Sequence, residues 1–283
     1  MIASLLEYAY LQNAFISAFL ASIVCGIIGT IVIEKKIVMM SGGIAHTSFG
    51  GIGLAHFFQF PPLLGAFGIA SLAAVAIAAI NRKTTSSPDL FIALFWSMGM
   101  AIGLIFIAWA PGYPPDLTTF MFGNILAVGR SDLYFMALLT GIVIFIVGGY
   151  LETIKAHVFD EDFLASKGFN IIRLDYLIYL LTAFAVVILI RVVGFILIIA
   201  LLTAPAATAK QITSRFGRMM LYAIGFGMLY SCIGLWVSYT WNVPSGASII
   251  LVSGISYLTF TYIHPLIKAK SEPFRNQASR SDT

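Results

Sequence analysis

With 283 residues, 60% of them hydrophobic and only 10% charged, the chain falls far below the ~25% charged residues of a soluble domain, which excludes a water-soluble globule. The charges gather between long apolar runs, the pattern of a polytopic membrane protein. The formal net charge of +4 comes from basic loops and a basic tail. No Lys/Arg stripe interleaves with aromatics, so the charge is a topology signal and implies no nucleic-acid partner.

Taken in order, residues 11–33 form a first apolar span that closes on Glu34, Lys35 and Lys36. Glu7 is acidic and no basic region precedes this span, so it is expected to stay as a membrane element and not to be cleaved as a signal. A second span ends near Phe58, residues 63–80 make a third stopped by Arg82 and Lys83, and residues 90–110 make a fourth. Each is close to the ~20 residues that cross a bilayer. A Pro/Gly loop at 111–116 leads into 117–128, which is apolar but too short to span and is expected as an interfacial or re-entrant helix. The fifth span covers 133–150, and 151–175 is the longest polar interruption.

The apolar run 176–209 is too long for one crossing. Interrupted by Arg191, Gly194 and Pro205, it is expected as a tight hairpin of two short helices with Arg191 at the tip, reaching the aqueous surface or headgroups, and Pro205 is expected to break or kink its helix. Spans at 221–237 and one ending near Tyr262 follow. The expected architecture is therefore all-α. Residues 1–265 form one transmembrane domain of about eight or nine helices, 151–175 its cytoplasmic loop, and 266–283 a polar, disordered cytoplasmic tail. Lys35/Lys36, Arg82/Lys83, Lys155/Lys167/Arg173, Lys210/Arg215/Arg218 and Lys268/Lys270 alternate with loops poor in basic residues. Nine crossings, N-terminus outside and C-terminus inside, satisfy that alternation.

Two stretches carry chemistry. Residues 39–53 lie in an apolar segment yet hold five glycines, three hydroxyls and His46. On a helix Gly42, His46, Gly50 and Gly53 share one stripe, so a neighbouring backbone can approach and the imidazole faces the protein interior. The competing reading is a packing histidine hydrogen-bonded to Ser41, Thr47 or Ser48. Met39 and Met40 are soft donors more often used for packing, and His56, His157 and His264 sit toward the membrane edges without a metal role. The second stretch is a short helix in the polar loop, with Asp160 as N-cap, Glu161 and Asp162 in the first turn, Gly168 after the last turn and Phe163 as an exposed apolar knob. Cys25 and Cys232 lack Cys-x-x-Cys spacing and are read as buried small hydrophobes.

These residues resemble the permease subunit of the metal-ion class of ATP-binding-cassette importers, those for zinc, manganese and iron. The likeness runs from about Phe15 to Tyr262. It is carried by Ser41–Gly42–Gly43–Ile44–Ala45–His46, by 122–128, by 159–168, by Arg191–Val192–Val193–Gly194 with the Thr203–Ala204–Pro205 stretch, and by Pro244–Ser245–Gly246–Ala247. The resemblance implies a multi-pass protein of the plasma (inner) membrane, surrounded by lipid. It pairs with a second, identical permease protomer and with ATP-binding-cassette ATPase subunits, and receives its ion from an extracytoplasmic metal-binding protein. It also implies that a divalent metal ion is cargo with no tightly bound cofactor, that His46 lines the translocation pathway, that Gly42, Gly50 and Gly53 pack the pathway helix, and that Phe159, Asp160, Glu161, Asp162, Phe163 and Gly168 couple to the ATPase. Many members carry an aspartate one turn before the motif histidine. Here that position is Gly42, which leaves a single imidazole, a weaker and less selective ligand set.

No Gly-x-x-x-x-Gly-Lys-[Ser/Thr] occurs in the chain, so nucleotide is expected on a separate polypeptide. The spans hold no paired aspartates, no His-Glu-x-x-His and no Ser/Lys dyad, which argues against an enzyme. No core span carries an acidic residue, which argues against a proton-coupled carrier. A permease for a chelate such as a siderophore, haem or cobalamin is the nearest alternative, with an ATP-independent secondary transporter behind it.

Overall fold

The computed structural model describes residues 8–83, 88–112, 123 and 125–278. Among them all regular structure is helical: α1 (Ala9–Glu34), α2 (Val38–Phe57), α3 (Pro62–Lys83), α4 (Pro88–Trp109), a 3-10 turn at Ile125–Ala127, α5 (Arg130–Gly149), α6 (Leu151–Phe159), α7 (Glu161–Ser166), α8 (Ile171–Val193), α9 (Phe195–Ile212), α10 (Phe216–Trp241) and α11 (Ser245–Ala278). Eight of these are long and apolar enough to cross a membrane. The ninth long helix is α2, whose glycines, hydroxyls and histidines dilute its hydropathy. It has little need of lipid compatibility, because residues 40–53 are buried without interruption.

The helix α2 lies between α4 and α3, while α1 packs on α10, α9 and α5, and α9 joins α10 and α11. Helix α8 ties the two groups by touching α3, α2 and α11's neighbour α9. The core is thus continuous, built of Ile, Leu, Val and Ala from α1, α2, α3, α8 and α9.

The apolar run at 176–209 breaks at Gly194, whose φ of 77° and ψ of 155° belong to a region essentially reserved for glycine. The broken-helix pair is present, and its arms of 23 and 18 residues are each long enough to cross. Pro205 sits inside α9, which continues on both sides of it. The turn between α1 and α2 is a Schellman closure in which Lys36 N donates to Ile33 O and Ile37 N to Val32 O, with Lys36 at φ 58°. Most of the expected interfacial segment at 117–128 lies outside the described residues. Its end forms the 3-10 turn, and Gly123, at φ +66°, packs against the backbone of Val193 and Gly194. Helix α11 runs on to Ala278, carrying helical backbone into the stretch expected as a tail, of which 279–283 lie outside the described residues.

The polar contacts sort the helix ends into two faces. At one, Lys35 from the end of α1 and Arg82 from the end of α3 both bond Asp175 at the start of α8. Lys210 from the end of α9 bonds Glu34 at 3.1 Å on the same face. At the other, Asn13 near the start of α1 donates to Val128 O at 3.1 Å, and Tyr10, Gly123, Asn242 and Pro244 line one cleft.

Candidate functional site

His46 stands on α2, 8% exposed. Its ring stacks on Trp96 of α4, with centroids 3.9 Å apart and planes 11° from parallel, and meets the edge of Phe195 at 4.6 Å and 64°. Phe195 is the first residue after the Gly194 break, so that break delivers the second wall. The hydroxyls of the stretch are taken up by their own helix: Ser41 Oγ donates to Val38 O at 2.8 Å, Thr47 Oγ1 to Gly43 O at 2.7 Å and Ser48 Oγ to Ala45 O at 2.6 Å. His46 Nδ1 is buried without a hydrogen-bond partner. Leaving a buried polar atom unpaired costs about 1–3 kcal/mol, so this imidazole is held with donor capacity that the resting packing does not use.

The glycine stripe faces α4. A Cβ at Gly50 would lie 2.8 Å from the carbonyl oxygen of Gly99, and one at Gly53 would collide with that of Gly103. The two backbones touch, as small-residue helix pairs do in membranes. Gly42 differs. A Cβ there would meet Ile199 Cδ1 at 3.5 Å and Trp96 at 4.0 Å, ordinary contacts, so α2 has room for a Cβ one turn before His46.

The loop helix is α7. Asp160 accepts from Phe163 N at 2.9 Å, the N-cap bond expected from its sequence. At the other end Gly168 takes φ +83°. Gly168 N donates to Ala165 O at 2.9 Å and Phe169 N to Leu164 O at 3.3 Å, a complete Schellman closure. Leu164 is buried and roots the helix, while Phe163 is 52% exposed, with the Lys167 ammonium 5.6 Å from its ring centroid. Phe159, also exposed, sets its ring edge-on to Phe216 of α10. The outward face of α6 and α7 thus carries the apolar knobs Phe159 and Phe163 among charges of both signs, Asp162 and Lys167 included.

Sequence reasoning missed what lies under α7. His157, fully buried, is joined by Lys35, Glu161 and Asp175 in one polar cluster, and Arg82 Nε adds a bond to Asp175 Oδ2 at 2.7 Å. Lys35 and Asp175 are separated by 140 positions, and only the packing of α1 against α8 brings them together. The one signal in the sequence was an aspartate at the mouth of a long apolar run.

Comparison with known proteins places the chain as a whole. Residues 7–264 match the ABC 3 transport family. The chain is 38% identical over 253 residues to the uncharacterized membrane protein slr2045 of Synechocystis, covering 89% of this chain and 90% of that one. It is 34% identical to the manganese transport system membrane protein MntC of Listeria monocytogenes, again with 89% and 90% covered. Among solved structures, PsaBC from Streptococcus pneumoniae in complex with Fab superposes with a TM-score of 0.82 at 30% identity, covering 92% of this chain and 95% of that one.

Proposed function

This chain belongs to the ABC 3 transport family, and on that footing we propose how it works as the membrane-spanning permease subunit of a divalent metal-ion importer. Manganese is the proposed cargo, because a relative matched over nearly its whole length is named for manganese transport. The cargo passes His46, and the observation that carries this role is the buried Nδ1 without a partner, held between Trp96 and Phe195. The two rings fix the imidazole plane and shed water, while the nitrogen lone pair meets the ion. One imidazole with no carboxylate at Gly42 suits passage better than retention.

Energy comes from a separate ATPase, which docks on α6 and α7 through Phe159, Asp162 and Phe163. Capping by Asp160 and Gly168 keeps α7 rigid enough to transmit a push. An extracytoplasmic binding protein delivers the ion at the opposite face, and a second copy of the chain completes the passage. The test is reconstitution with the cognate ATPase and binding protein in proteoliposomes. ATP-dependent Mn²⁺ uptake is expected, and His46→Ala is expected to cut it about tenfold or more, the order lost with a metal-contacting partner, while the complex still assembles. Uptake that survives ATP depletion and collapses with the proton gradient, or unchanged kinetics in His46→Ala, would overturn the reading.

A further inference from the structure

Beneath α7, donor atoms from three separate elements converge on one cation. His157 Nε2 of α6, Asp175 Oδ1 of α8 and Glu161 Oε1 of α7 lie 2.7, 2.8 and 3.1 Å from Lys35 Nζ. His157 Nε2 also lies 2.8 Å from Asp175 Oδ1. An imidazole nitrogen that accepts from the ammonium presents a lone pair, as does the carboxylate beside it. In the tautomer whose Nε2 accepts from the ammonium, both atoms point at the same positive charge, as ligands do around a metal; in the other, Nε2–H donates to Asp175 Oδ1. The other ring nitrogen, Nδ1, is buried without a hydrogen-bond partner and faces Glu161 Oε1 from 3.9 Å.

We propose that His157, Glu161 and Asp175 form a second, cytoplasmic-face site for a first-row divalent cation, with the Lys35 ammonium as its built-in competitor. The three ligand atoms lie within 4.8 Å of one another. Two ligands on opposite sides of an ion sit no more than about 4.3 Å apart at ordinary bond lengths, so the set must close by at least about half an ångström, and water fills the remaining positions. One imidazole with two carboxylates suits Mn²⁺, Fe²⁺ or Zn²⁺ and not thiolate-seeking Cu⁺. Glu161, 48% exposed, opens the site to the aqueous side. Arg82 holds the other oxygen of Asp175 and keeps that carboxylate in place when Lys35 leaves.

The ion's arrival has a mechanical consequence. Lys35 is the C-cap of α1, in the turn that leads into α2 and His46. Displacing it removes the bonds that tie this turn to α7 and α8. Metal accumulating in the cytoplasm therefore loosens the link between the ATPase-facing helix and the pathway helix, a brake on import when import has succeeded. The brake rests on the role proposed above for α7, but the site does not.

Titration of the purified full-length chain with Mn²⁺, followed by electron paramagnetic resonance in a His46→Ala background, reads the site apart from the pathway. Weak binding is expected in the parent. Lys35→Met should tighten it about tenfold or more, Lys35→Arg should not, and His157→Gln added to Lys35→Met should reverse the gain, consistent with the ~10–100-fold worth of groups supporting a metal. Glu161→Gln alters a half-exposed side chain on a surface helix and should weaken Mn²⁺ binding in the parent. No gain in Lys35→Met over Lys35→Arg, no loss with His157→Gln, or no loss with Glu161→Gln would each overturn the proposal. No ATPase enters the assay, so a failed importer reading leaves these outcomes interpretable.

Discussion

At the scale of single residues, the stripe around His46 separates two kinds of glycine. Gly50 and Gly53 exist because backbone carbonyls of α4 stand where a Cβ would go. Gly42 has ordinary space before it. Gly50→Ala is therefore expected to destabilise the folded chain by about 1–3 kcal/mol, the usual cost of overpacking a tight contact, read as a lower melting temperature in detergent. Gly42→Asp is expected to fold and to place a carboxylate one turn from His46, so that Mn²⁺ is held more tightly and released more slowly; equal affinity in Gly42→Asp and the parent would remove Gly42 from the ion's path. The glycine period made the stripe legible in the sequence. Trp96 and Phe195 were not, because a ring stacked on His46 from another helix leaves no periodic trace. The Lys35–His157–Asp175 cluster escaped for the same reason, with each member looking like an ordinary helix-end charge.

At the scale of elements, capping chemistry is local and therefore legible. Asp160 and Gly168 mark the ends of α7 from sequence, and the bonds to Phe163 N and from Phe169 N lie where those residue types dictate. The division of the 176–209 run into two helices was legible too, but its tip, read at Arg191, lies at Gly194, and the full crossing length of each arm was not legible. The apolar run alone does not say where α8 begins, and the helix in fact starts at Ile171, capped by Asn170, which accepts from Arg173 N at 3.1 Å. The exposed ring of Phe163 contributes little to the fold, since the buried anchor of α7 is Leu164. Phe163→Ala is thus expected to stay within about ±0.5 kcal/mol of the parent in stability, yet to lower ATPase recovery in co-purification and to sever ATP hydrolysis from uptake. Full coupling in Phe163→Ala would move the docking face elsewhere.

At the scale of the whole molecule, the count of crossings follows from which helix ends meet. Lys35 closes α1 and Arg82 closes α3, and both bond Asp175. The ends of α1 and α3 therefore share a face, and α2 and α3 must go across and back between them. That makes α2 a crossing although its hydropathy alone does not. Bilayer chemistry permits this because its hydroxyls are satisfied within the helix and its surface, His46 included, is covered by neighbouring helices. With α2 counted beside the eight apolar helices, the number among the described residues is odd, and the start of α1 and the end of α11 are expected on opposite sides. By the distribution of basic loops the Lys35–Arg82 face is expected in the cytoplasm, so Tyr8 and Asn242 should be external and Ser166 internal. Single cysteines test this, since Cys25 is buried and Cys232 lies within α10. A membrane-impermeant thiol reagent applied to intact cells should label Tyr8→Cys and Asn242→Cys and should reach Ser166→Cys only after permeabilisation. Protection of Tyr8→Cys alongside labelling of Asn242→Cys would mean that α1 does not cross. Labelling of Ser166→Cys in intact cells would reverse the orientation and take α7 away from any ATPase.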